Sequence, residues 1–96
     1  MPCFFIAQIN VHDRDEYAKY LEGAGELRDR FSAKLIAVDE QAVVLEGEWP
    51  FGRTVLIEFP TMDHLERWYH SPEYQRLAGH RKSGSTANIV AVRGSD

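Results

Sequence analysis

Two stretches of apolar alternation, Cys3–Val11 and Arg53–Phe59, are each followed by a capping residue and an amphipathic helix, and this repeated strand-then-helix unit is the strongest constraint on the fold. In the first, Cys3, Phe5, Ala7, Ile9 and Val11 share one face and Phe4, Ile6, Gln8 and Asn10 the other. Asp13 with Glu16 has the spacing of a capping box, in which each side chain satisfies the other's free backbone donor. The helix it starts is predicted to run to about Phe31, with Tyr17, Tyr20, Leu21, Ala24, Leu27 and Phe31 on its apolar side. Gly23 and Gly25 in its interior each cost roughly 1 kcal/mol against alanine and mark close approach of another backbone.

The second half repeats the plan. Lys34 to Val38 reads as a strand, Asp39-Glu40 as a turn, and Ala42 to Glu46 as a further strand running into a loop over Gly47 to Gly52. In Arg53–Phe59, Val55, Ile57 and Phe59 lie on one face and Thr54, Leu56 and Glu58 on the other, and Pro60 closes the strand. Thr61 caps a helix with Leu65, Trp68 and Tyr69 on its buried stripe. Ser71-Pro72-Glu73 then restarts a helix carrying Tyr74, Leu77 and Ala78, and Ala87 to Val92 is the last strand. The order is β-α-β-β-α-β, an α+β, ferredoxin-like protomer with both helical layers on one face of an antiparallel sheet. The other face, with Phe4, Ile6 and Leu56 beside Gln8, Asn10 and Glu58, is too apolar for water and too polar for a dry core. A second copy packed sheet to sheet around a partly polar cavity answers both demands.

Composition narrows the function classes. With 96 residues there is room for one domain, residues 1–96, and a lone cysteine, Cys3, excludes an intrachain disulfide. The formal charge of −4 argues against nucleic acid as partner. No apolar run approaches the ~20 residues of a membrane span, and no secretory signal opens the chain, which reads as cytoplasmic. The four histidines have no metal-ligand spacing, and nothing calls for heme, flavin or metal, although heme held by a single histidine stays open.

The runs Leu45-Glu46-Gly47, Trp49-Pro50, Ile57-Glu58-Phe59-Pro60 and Trp68-Tyr69-His70-Ser71-Pro72-Glu73-Tyr74-Gln75, with Arg53 and Arg81, resemble the domain-of-unknown-function family numbered 1330 over nearly the whole chain. The resemblance implies a homodimeric α/β barrel with a pocket in each subunit. Related barrels include heme-free monooxygenases that oxidise polycyclic aromatic substrates, a lactone isomerase and heme-dependent chlorite-degrading enzymes, so the resemblance implies no single reaction.

Candidate site residues follow from the open-face cavity. Glu58 is the candidate base, desolvated unless Arg53 or Arg81 is the cation beside it, and Arg53 is the candidate for steadying developing negative charge. Gln8, Asn10, Trp68 and Tyr69 are the candidate ligand-binding residues, and no metal ligand is assigned. The enzyme reading is a cofactor-free isomerase or monooxygenase acting on a small enolisable or aromatic compound. The competing reading is a ligand-binding or structural dimer in which Glu58 fixes register. A further alternative starts from Met1-Pro2-Cys3-Phe4, which resembles the start of tautomerase chains whose N-terminal proline shuttles a proton, although their parallel β-α-β core departs from the pattern here.

Overall fold

The computed structural model describes residues 1–95. Strand β1 (Cys3–Val11) leads into helix α1 (Arg14–Arg30), strands β2 (Lys34–Asp39) and β3 (Arg53–Phe59) follow, and helices α2 (Met62–His70) and α3 (Pro72–Gly84) precede β4 (Ser85–Arg93). The sheet order is β2-β3-β1-β4, antiparallel throughout. This is the ferredoxin-like arrangement expected from the repeated unit, and it lacks the parallel core of the tautomerase alternative. Pro2 extends the β1–β4 ladder by one bond, its carbonyl accepting from Gly94 N at 2.8 Å.

Local chemistry accounts for the helix ends. Asp13 Oδ1 accepts from Glu16 N, Thr61 Oγ1 from His64 N and Ser71 Oγ from Tyr74 N, so each helix has a side-chain cap on its free donors. The box at Asp13 is only half formed, because its own N–H donates to Gly84 O and the Glu16 carboxylate turns to Lys19 and His80. Helices α2 and α3 are separate pieces because Ser71 is extended and Pro72 lacks the donor that would continue α2.

One expected strand is missing. Ala42 to Glu46 is irregular, with Val43 81% and Leu45 89% exposed. β2 pairs directly with β3 across a register shift between Leu35 and Ala37, and Asp39 Oδ1 accepts from Gln41 N, turning the chain off the sheet edge. The run therefore leaves the sheet without joining the free outer edge of β2 or of β4.

The core lies between sheet and helices. Phe5, Ala7 and Ile9 of β1 and Val55, Ile57 and Phe59 of β3 pack on Tyr17, Tyr20 and Leu27 of α1, Leu65 and Trp68 of α2, and Tyr74 and Ala78 of α3. Burying side chains of this size contributes about 1.5–3 kcal/mol each. Trp68 is at the centre, 4.0 Å from the Tyr74 ring, 5.0 Å from Phe59 and edge-on to Phe5 at 5.1 Å between centroids. Helices α1 and α3 cross closely at Gly23, where a Cβ would meet Leu77 Cδ2 at 2.8 Å, whereas Gly25 has only Arg28 of its own helix nearby. The close neighbour at Gly23 is thus a side chain, not a backbone. A second close approach pins the ends of these helices. Gly84 O accepts from both His12 N and Asp13 N, and a Cβ on Gly84 would fall 2.9 Å from Asp13 O and from Tyr17 N.

Candidate functional site

The two-residue period of a strand decides which predicted site residues can meet. In β3, Arg53 shares the helix face with Val55, Ile57 and Phe59, and Glu58 points to the open face. Glu58 lies opposite Phe4 of β1 and Lys34 of β2. Arg53 is opposite Ile9, which is buried under α1. The expected pairing of Glu58 with Arg53 is therefore ruled out by the sheet between them, and the alternative cation, Arg81 of α3, is also on the helix side. Gln8 does lie on the open face and accepts from Asn88 Nδ2 at 3.1 Å. Asn10, at the end of β1, reaches the rim of a cleft described below. Trp68 is fully buried in the core, and Tyr69 lines a shallow groove with Met62, Leu65, His70 and Ile89. The six predicted residues thus do not form one cavity.

A different set converges on the helix side. Between α1 and the sheet is a cavity of about 100 Å³ walled by Phe5, Ile9, Val55 and Ile57 from the sheet, Tyr17 and Tyr20 from α1, and the side chains of Arg28, Arg53 and Arg81. It adjoins an open cleft of about 620 Å³, also lined by Ile9, Tyr17, Leu21 and Arg53, whose outer rim adds Asn10, Arg14 and Glu40. Four arginines line the two spaces and Glu40 is the one carboxylate on their walls.

At the junction, Arg53 Nε donates to Tyr17 Oη at 3.2 Å, the guanidinium lies 5.5 Å from the Tyr17 ring centroid, and Nη1 pairs with Glu40. Burial by itself would lower the Arg53 pKa, but Tyr17 and Glu40 outweigh it and hold it above the ordinary value. Deeper in, Tyr20 and Tyr74 hydroxyls share a hydrogen bond at 2.9 Å. Burial pushes Tyr20 well above the usual phenol value and Tyr74 in the same direction, against the opposing pull of Arg81. Both hydroxyls therefore stay protonated at neutral pH and offer Arg81 no counter-charge.

Arg81 is 4% exposed, its guanidinium 5.9 Å from the Tyr20 ring centroid, and its Nε and Nη2 have no hydrogen-bond partner among the described residues. No carboxylate of the described residues forms a salt bridge with it. Withdrawing such an ion from water costs on the order of several kcal/mol, only partly offset by one aromatic face. The signal was present in the sequence: Tyr74, Ala78 and Arg81 fall at spacings of four and three, which puts an arginine on a buried stripe. Among the described residues no group of three or more His, Cys, Asp or Glu side chains could hold a metal ion, and no helix is long and apolar enough to cross a membrane.

Comparison with known proteins fits this geometry. The family described as Domain of unknown function (DUF1330) matches residues 2–95. No curated protein matches the chain by sequence. A protein of unknown function from Rhodopseudomonas palustris superposes with a TM-score of 0.82 at 14% identity, over 99% of this chain and 83% of that one. A dimeric ferredoxin-like protein of unknown function from Jannaschia sp. CCS1 gives 0.75 at 12% identity, covering 98% of this chain and 100% of the other. SnoaB, a cofactor-independent oxygenase from Streptomyces nogalater, gives 0.67 at 12% identity over 99% and 94% of the two chains. At such identities the likeness is one of fold.

Proposed function

The chain belongs to the DUF1330 family, and from that premise we propose that it is a homodimeric α/β-barrel protein that binds a small molecule inside each protomer, in the cavity between α1 and the sheet. The observation that carries this is the partly open cavity of about 100 Å³ and the cleft beside it, whose apolar and aromatic walls are joined by tyrosine hydroxyls and guanidinium groups. Dimerisation is read from the open face. In register, Val92, Phe4 and Glu58 form one row, Val90, Ile6 and Leu56 the next, and Asn88, Gln8 and Thr54 a third. Two largely apolar rows backed by a polar one suit a second copy of the same face, with Glu58 and Gln8 holding register across it.

The reaction class proposed for the cavity is cofactor-free isomerisation or oxygenation of a small enolisable or aromatic compound. Such chemistry needs a substrate carbanion or enolate. Glu40, the carboxylate at the cleft rim beside Arg53, would take the proton from carbon, Arg53 and Arg81 would stabilise the charge left behind, and the Tyr17 and Tyr20 hydroxyls would hydrogen-bond the developing oxyanion. The fold shared with SnoaB supports this reading by analogy. Native mass spectrometry of the purified protein at low concentration, followed by denaturing spectra, tests both parts. A dimer carrying extra mass that is released on denaturation is expected. A monomer would overturn the assembly, and a bare dimer that binds no small aromatic or enolisable compound would overturn the pocket.

A further inference from the structure

Resting on that reading of the cavity, we infer that its ligand is an aryl carboxylate, its acid group held by the Nε and Nη2 edge of Arg81. The two partnerless nitrogens of this side chain are on the same edge of the planar guanidinium, the edge whose paired N–H groups match the two oxygens of a carboxylate. No carboxylate of the described residues competes for that edge: Glu40, the acid on the cavity and cleft walls, is already paired with Arg53, and the Tyr74 hydroxyl that Arg81 acts on is neutral and brings it no counter-charge. The walls of Phe5, Ile9, Val55, Ile57 and the Tyr20 ring fit a flat apolar body rather than a sugar or a polar chain. A single fork in a partly open space suits a monoanion better than a phosphate, which asks for more donors. The surrounding field agrees. A chain with a formal charge of −4 sets four of its arginines around two neighbouring spaces that share Arg53, which favours anions there over the rest of the surface.

The test compares benzoate with benzamide, its neutral counterpart of nearly equal shape, by isothermal titration calorimetry on the dialysed wild-type protein, with any co-purified compound identified by mass. Benzoate is expected to bind at least tenfold more tightly than benzamide. Arg81→Lys, which keeps the charge and loses the fork, should erase most of that preference, and Arg81→Met all of it. Ligand-free Arg81→Met should also melt above wild type, because it removes a buried charge without a partner. Equal affinity for the two probes, or a co-purified compound with no acid group, overturns the inference and leaves the pocket reading standing. So does a preference for benzoate that survives in Arg81→Lys and Arg81→Met, or a ligand-free Arg81→Met that melts well below wild type, which would mark Arg81 as a structural cation. Failure of both probes together with a bare dimer overturns the inference and the pocket reading alike.

Discussion

On the helix side of the sheet, the side chains of Phe5, Ala7, Ile9, Val55, Ile57 and Phe59 are buried, and the polar groups that join them are arginines and tyrosines. On the opposite side, Phe4, Ile6 and Leu56 remain half-buried and Val90 is 55% exposed; the polar groups beside them are Glu58, next to Phe4 at the end of the apolar rows, and Gln8, Asn88 and Thr54, these three bonded to one another or to Trp49. A guanidinium inside a dry layer carries a standing electrostatic cost that only a ligand or a counter-ion relieves, whereas neutral amides on a seam are satisfied by their neighbours. The contrast separates two tasks within one sheet: recognition on the covered face, assembly on the open one.

Three substitutions sharpen or break that separation. The largest effect is expected at the centre of the covered face, where Trp68→Ala should cost about 3–5 kcal/mol of stability in urea unfolding. A loss below about 1 kcal/mol would mean the aromatic cluster is not the core it appears as in cross-section. Next is Ile6→Asp, which sets two carboxylates against each other on the proposed seam. It should weaken the dimer by about 3 kcal/mol, roughly two decades in dissociation constant by sedimentation, while benzoate still binds the protomer. Unchanged association would free the open face from its assigned task. The smallest is Glu16→Gln, at the rim where α1 meets α3. His80 Nδ1 lies 2.6 Å from Glu16 Oε2, and this hydrogen bond holds the Glu16 carboxyl below its ordinary pKa. Ionised Glu16 therefore stabilises the fold at neutral pH, and that contribution disappears as pH falls through the lowered value. The variant should unfold slightly more easily than wild type at pH 7 and match it in acid; a gap that persists in acid would assign the effect to packing.

Most of the fold was legible because local and global signals agreed. Alternation in β1 and β3, the caps at Asp13, Thr61 and Ser71, and the break at Pro72 each have one physical reading. Ala42 to Glu46 misled because strand-like composition says nothing about whether a run will join an edge. The candidate site was harder to read. Polarity on the open face drew attention to Gln8, Asn10 and Glu58, while the arginines were weighed only as partners for Glu58. Counting positions in β3 separates Arg53 from Glu58 without any structure. The meeting of Arg81, Tyr20 and Tyr74 depends on how α3 crosses α1, which no spacing along one helix encodes.

The joint at Gly84 bears on both the cleft and the cavity. It fastens the start of α1, with Arg14 and Tyr17, to the end of the helix that carries Arg81, so the cleft wall and the cavity floor are set by one joint and a side chain added at Gly84 would displace both. Across the cleft, Glu40 and Gly52 stand at the two ends of the segment that β2 and β3 bracket, joined by Ala42 N donating to Gly52 O at 3.5 Å.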